Sequence, residues 1–82
     1  MRKLHQVATE IALLWSAMPN AERKFYAAIP YLNAMQNLSG IGENYGHDSG
    51  RSIVLYFLSN VQQWRGDDAR RLKAELKDML PK

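Results

Sequence analysis

The sequence predicts an all-α fold, a small single-domain bundle of about four helices with one glycine-rich loop. Along most of the 82-residue chain, apolar residues recur at steps of three and four, the spacing that places side chains on one face of a helix. Glycine is concentrated in one place, since four of the five glycines lie between positions 39 and 50. A chain of this length holds one core, so we expect residues 1–82 to form one domain.

The first two helices are predicted over residues 2–18 and 20–38. Pro19 ends the first, because proline disfavours helical backbone at the preceding residue, and Asn20 is a favoured N-cap. Pro30 lies inside the second helix and has no N–H to donate. The second helix is therefore either kinked at Pro30 or split there into two short helices, 20–28 and 30–38, and the sequence leaves both open.

A loop over residues 39–49 precedes the third predicted helix, residues 50–65. Its run Ile53–Leu58 is apolar on every side, which is compatible with a strand. A helix is favoured because no second segment offers a pairing strand, and an all-apolar helix is expected at the centre of the bundle. The fourth helix, residues 67–80, follows Gly66 and is expected to be capped by Asp67.

The composition excludes several kinds of chemistry. The chain has no cysteine, and His5 and His47 lie 42 positions apart without helical metal-ligand spacing, so no metal or cofactor is expected. His47, Asp48 and Ser49 are adjacent in the loop, where neighbouring residues cannot readily form a catalytic triad. We therefore expect no catalytic residue and no enzymatic activity.

The start of the third helix has one weaker functional interpretation. The segment from Gly46 to Ser52 approaches a phosphate-binding loop but is one residue short. Backbone amides there, near Arg51, are able to receive an anion. Simple capping by Asp48 or Ser49 is the favoured alternative.

Aromatic residues suggest a surface for binding another protein. Tyr26 and Tyr31 lie beside the apolar stripe of the second helix and Tyr45 lies in the loop, whereas Trp15 and Trp64 lie on stripes and are expected in the core. The predicted partner-binding residues are Tyr45, His47, Arg51, Tyr26 and Tyr31. Self-association as a homodimer is left open.

The net charge of +3 arises from 11 basic and 8 acidic residues, a modest excess with mixed signs at both ends. The alternative function is nucleic-acid binding by the basic face of the last helix, through Arg70, Lys73 and Lys77 with Arg2 and Lys3. The longest apolar run has six residues, so no membrane partner is expected. A cytoplasmic location is expected instead.

The second half of the chain resembles short uncharacterised proteins encoded by bacteria, phages and other mobile elements. The resemblance is carried by residues 45–60 (YGHDSGRSIVLYFLSN), 64–66 (WRG) and 69–76 (ARRLKAEL). It implies a protein that acts by occupying a surface of a larger one. Inhibitors of a host system belong to that class, anti-CRISPR-like proteins included.

Overall fold

The computed structural model describes residues 2–80, and this part of the chain is mostly helical, as predicted. It contains five α-helices rather than about four: α1 Leu4–Ser16, α2 Ala21–Lys24, α3 Ile29–Met35, α4 Gly50–Ser59 and α5 Asp67–Met79. A 3-10 turn, Tyr26–Ala28, precedes α3, and a two-stranded antiparallel hairpin, β1 Asn44–Tyr45 with β2 Asp48–Ser49, precedes α4. The predicted unit 1–82 also includes Met1, Pro81 and Lys82, which lie outside the described residues.

The second predicted helix is split, which is one of the two alternatives: α3 begins at Ile29 with Pro30 in its first turn, and the segment before it is divided again at Phe25. Phe25 leaves the helical region at φ −115° and ψ 26°, and its ring stacks on Trp15 with centroids 4.6 Å apart. Pro30 is the second residue of α3, within the first turn, where the missing N–H costs no intrahelical hydrogen bond. Pro30 therefore fits the start of α3, and the buried Phe25 lies where α2 ends.

The glycine-rich segment differs from the irregular loop predicted over residues 39–49. Tyr45 pairs with Asp48 across a two-residue turn of Gly46 and His47. Gly46 has φ +65°, while His47 does not have a positive φ, which is the φ pattern of a type II′ hairpin turn. A glycine at the first central position is what that turn requires.

The third predicted helix ends earlier than residue 65. Helix α4 stops at Ser59, and the Asn60 side-chain amide donates to the carbonyl oxygen of Tyr56 at 2.7 Å, a local bond that competes with continued helix. Gly66, with φ +113°, is the N-cap of α5, so Asp67 begins that helix instead of capping it.

The core forms around a cluster of aromatic rings. Trp15 stacks on Phe25 and on Phe57, and meets Trp64 edge-on with centroids 5.3 Å apart. Both tryptophans are buried, as the sequence predicts, although Trp64 lies in the turn between α4 and α5. Helix α1 packs on α3 and α5, and α4 packs on α3.

Candidate functional site

The hairpin is fixed to the start of α4 by backbone hydrogen bonds. The Gly50 amide donates to the Glu43 carbonyl oxygen at 2.6 Å, and the Arg51 amide donates to that of Ile41 at 3.1 Å. The Ser49 hydroxyl caps the helix by accepting from the Ser52 amide at 3.1 Å. The amides of residues 50–52 therefore already have partners, and the structure favours capping over the predicted alternative of an anion at this helix start.

Gly50 is required for this close approach. A Cβ atom at position 50 would lie 2.8 Å from the Gly40 carbonyl oxygen and 2.9 Å from the Ile41 Cα atom. Glu43 holds the other end of the segment, since its carboxylate accepts from the Ser39 amide at 2.6 Å. The segment before α4 is thus docked against the helix, so the side chains that it carries have defined positions.

Helix α4 is not surrounded on all sides, which corrects the expectation of a central helix. Leu55 and Tyr56 are 40% and 47% exposed, respectively. Leu55 lies one turn after the exposed Arg51 on the same helix face. The apolar run that suggested complete burial therefore leaves two large apolar side chains on the surface.

Tyr31 extends this exposed surface from α3. Its ring centroid lies 5.4 Å from that of Tyr56, with the rings tilted by 42°, within the range of favourable aromatic pairs. We call Tyr31, Arg51, Leu55 and Tyr56 the α4 surface. Tyr31 and Arg51 are two of the five predicted partner-binding residues. Leu55 and Tyr56 were not predicted as surface residues.

Tyr45 and His47 lie on the hairpin, and both are exposed. Tyr45 is paired with Asp48, and Asp48–Ser49 leads directly into α4. These two predicted residues therefore lie on the element that adjoins the start of the α4 surface.

Tyr26 lies on a different surface from Tyr31. It is 75% exposed and lines an open groove of about 490 Å³ between α1 and α3, whose floor includes Ala12, Trp15 and Pro30. Tyr31 does not line this groove. Tyr26 is therefore at this groove, whereas Tyr31 pairs with Tyr56 of α4.

The predicted basic residues are also divided. Arg70, Lys73 and Lys77 line one cleft beside α5. Arg2 is instead held by two carboxylates, at 2.6 Å from Glu10 and 2.7 Å from Glu75. The N-terminal basic residues Arg2 and Lys3 line a separate depression near the end of α5.

Arg2 belongs to an ion-pair network that joins α1 to α5. Arg71 donates to the Glu10 carboxylate at 2.6 Å and also contacts Asp68. Hydrogen bonds from Arg71 and Arg2 lower the pKa of Glu10, and a hydrogen bond from Arg2 lowers that of Glu75. These contacts link the first residues of the described chain to its last helix.

Residues 2–80 contain neither a cluster of metal-ligating side chains nor a helix that could span a membrane. No three side chains of the metal-ligating types His, Cys, Asp and Glu lie close enough together there to hold an ion. None of the described helices has the length and apolar character needed to cross a membrane.

Three residues of the candidate surfaces were not predicted from the sequence: Leu55, Tyr56 and Arg65. Polar positions Arg51, Ser52 and Ser59 mark one face of α4 at helical spacing, and Leu55 and Tyr56 lie on that face. This pattern was available in the sequence. Arg65 was predicted to be the last residue of the third helix; it lies instead in the turn after α4 and lines the cleft beside α5 that Arg70, Lys73 and Lys77 also line.

Comparisons with protein-family models, with curated proteins and with solved structures found no match to this chain.

Proposed function

We propose that this protein is a small, non-enzymatic protein-binding module that contacts its partner through the α4 surface. The observation that carries the proposal is the exposure of Leu55 and Tyr56 beside Arg51 on one helix face. Exposed apolar side chains that cluster, with polar residues around them, are typical of protein interaction sites. Tyrosine and arginine are also the residue types that dominate binding energy at such sites.

The α4 surface is organised before any partner binds. The Tyr56 ring packs beside the Tyr31 ring, which limits the side-chain freedom that binding would otherwise remove. The hairpin that carries Tyr45 is docked through the Gly50 and Arg51 amides. Binding would therefore bury aromatic area at a small entropic cost.

The charge on the helix indicates the chemistry of the partner. Arg51 is the only charged residue of α4, and its exposed guanidinium is suited to a bidentate contact with a carboxylate. The expected partner surface has an apolar pocket for Tyr56 or Leu55 and an acidic side chain at its edge.

The resemblance to short bacterial, phage and mobile-element proteins, which is an expectation from the sequence of the second half, implies a more specific role. A chain of 82 residues is able to act by covering a surface that a larger protein needs. We propose that it is an inhibitor of a host system, the anti-CRISPR-like class included, that acts in the cytoplasm.

Affinity capture from nuclease-treated bacterial lysate tests the proposed function. Three tagged proteins are compared: the wild type, Tyr56→Ser and Leu13→Ser. Leu13 is 67% exposed on α1, outside the α4 surface, so its replacement also removes an exposed apolar side chain. Thermal unfolding of each protein verifies that the fold is retained.

The proposal predicts a protein that is captured by the wild type and by Leu13→Ser but is lost with Tyr56→Ser. Capture that is equal for all three, or that disappears when the nuclease is added, would contradict it. The homodimer that the sequence leaves open is a separate prediction, tested by the concentration dependence of the melting temperature.

A further inference from the structure

A second surface lies beside α5, in an open cleft of about 430 Å³. Four cationic side chains line it: Arg65, Arg70, Lys73 and Lys77, together with Trp64 and Gly66. The residues that line the cleft include no aspartate and no glutamate. We call this feature the basic cleft.

Lys73 is held in place at the wall of the basic cleft. Its ammonium group donates to the Trp64 carbonyl oxygen at 2.6 Å and lies 5.9 Å from the centroid of the Trp64 ring. Burial lowers the pKa of Lys73, and the positive charges of Lys77 and Arg65 lower it further. The cations of the cleft therefore repel one another, and a bound anion would relieve that repulsion.

The other cations of the cleft have little compensation from carboxylates. Within residues 2–80, Arg65 and Lys77 have no carboxylate within 4 Å. Arg70 approaches Asp67 only to 3.8 Å, and both side chains are almost fully exposed. Arg2 and Arg71, by contrast, are engaged at 2.6–2.7 Å in the network on another face of α5.

The cations are arranged in a row rather than around one point. Arg70, Lys73 and Lys77 follow each other at steps of three and four on α5, so the row extends over about 10 Å of helix axis. That length accommodates about two or three consecutive phosphates of one strand, given the roughly 3.4 Å axial rise per nucleotide in each strand of a duplex and a larger rise in an extended strand.

From this arrangement we infer that the basic cleft binds the phosphodiester backbone of single-stranded nucleic acid. A single strand can bend away from the row at Arg70, where Asp67 lies 3.8 Å from the guanidinium, whereas a rigid duplex pressed against the helix would meet both Asp67 and Asp68. Trp64 is buried and so offers no face for base stacking. Binding is therefore independent of base sequence and driven by charge.

The test measures fluorescence anisotropy of a labelled oligothymidylate of about 12 nucleotides with the wild-type chain and two double variants. Arg70→Gln/Lys77→Gln removes two charges from the basic cleft. Arg23→Gln/Lys24→Gln removes two exposed charges from α2, outside the cleft, and is the matched control. All four substituted side chains are exposed, and melting curves verify folding.

Three neutralised phosphates predict that affinity falls about 20-fold between 50 and 200 mM salt for the wild type and for the control. With two cations removed, the expected fall is about sevenfold, from a weaker starting affinity. An oligodeoxyadenylate of the same length should bind equally well.

Several results would overturn the inference: no binding at 50 mM salt, an equal loss of affinity in both double variants, or binding of duplex DNA alone. Inorganic phosphate that binds the cleft without any oligonucleotide binding would also overturn it. None of these outcomes depends on the α4 surface, so the inference and the proposed function can fail separately.

Discussion

Replacing Gly50 with alanine should destabilise the protein, although the same change in an exposed helix usually stabilises it. The new Cβ atom would lie 2.8 Å from the Gly40 carbonyl oxygen, and 2.9 and 3.0 Å from the Cα and carbonyl oxygen of Ile41. All three neighbours are backbone atoms, so no side chain can rotate away to make room. The docked segment must retreat from α4.

That retreat weakens the hydrogen bonds from the Gly50 and Arg51 amides to the Glu43 and Ile41 carbonyl oxygens. Two such bonds contribute about 2 kcal/mol together, and the crowding adds about 1 kcal/mol or more. The higher helix propensity of alanine offsets at most about 1 kcal/mol. The expected net loss is about 2 kcal/mol in the free energy of unfolding, or about 10 °C in Tm for a chain of this size.

Urea denaturation of Gly50→Ala and Gly42→Ala measures this difference. Gly42 has nothing within 4 Å of its hypothetical Cβ atom and does not have a positive φ, so its variant should stay within about 0.5 kcal/mol of the wild type. If Gly50→Ala proved as stable as the wild type, the docking of the hairpin segment onto α4 would not be as described.

Three further predictions concern the core, the ion-pair network and the hairpin. Phe57→Ala should lower the free energy of unfolding by about 3–5 kcal/mol, because the ring is fully buried against Trp15. Truncation of the neighbouring Tyr56 should lower it by less than about 1 kcal/mol in the same denaturation assay. Equal losses would contradict the assignment of Phe57 to the buried face of α4 and of Tyr56 to the exposed face. The pKa values of Glu10 and Glu75 are lower in the folded chain than in the unfolded chain, so the two carboxylates stabilise the fold fully above about pH 5, and this stabilisation is lost as the pH falls through the folded pKa values. Glu75→Gln should reduce the dependence of the free energy of unfolding on acid pH, and Glu22→Gln should not. Identical pH profiles for the two variants would refute the role of the network. Gly46→Val should destabilise the protein by about 1–3 kcal/mol, because φ +65° is strained for a β-branched residue. Gly40→Ala is its control, because a Cβ atom at position 40 would have no atom within 4 Å. A Gly46→Val variant as stable as the wild type would argue against the type II′ turn.

The core was predictable because it depends on local periodicity. Ile11 and Leu72 lie on stripes spaced at three and four residues, and both are fully buried. The break at Phe25 was not predictable in this way, because it depends on a ring contact with Trp15 in another helix. The local rule for proline did predict a helix that starts near Pro30, because proline is tolerated in the first turn of α3.

The candidate site was predicted in part for the same reason. Tyr31 and Arg51 were expected at a surface, and they are joined there by Tyr56, which the apolar character of its neighbours concealed. The position of Arg2 depends on Glu75, 73 residues away in sequence, and a local pattern holds no information about such a pair. The sequence therefore indicated the types of residue involved but not which of them meet.

Site-specific photocrosslinking in bacterial cells tests the α4 surface most directly. A photoreactive benzoyl-phenylalanine is placed at Tyr56 in one protein and at Leu13 in another, and the crosslinked products are identified by mass spectrometry. We expect one discrete protein adduct from position 56 that is lost when Arg51→Ala is added, and no such adduct from position 13. The same adducts from both positions, or none from position 56, would contradict the proposal that this surface binds a protein partner.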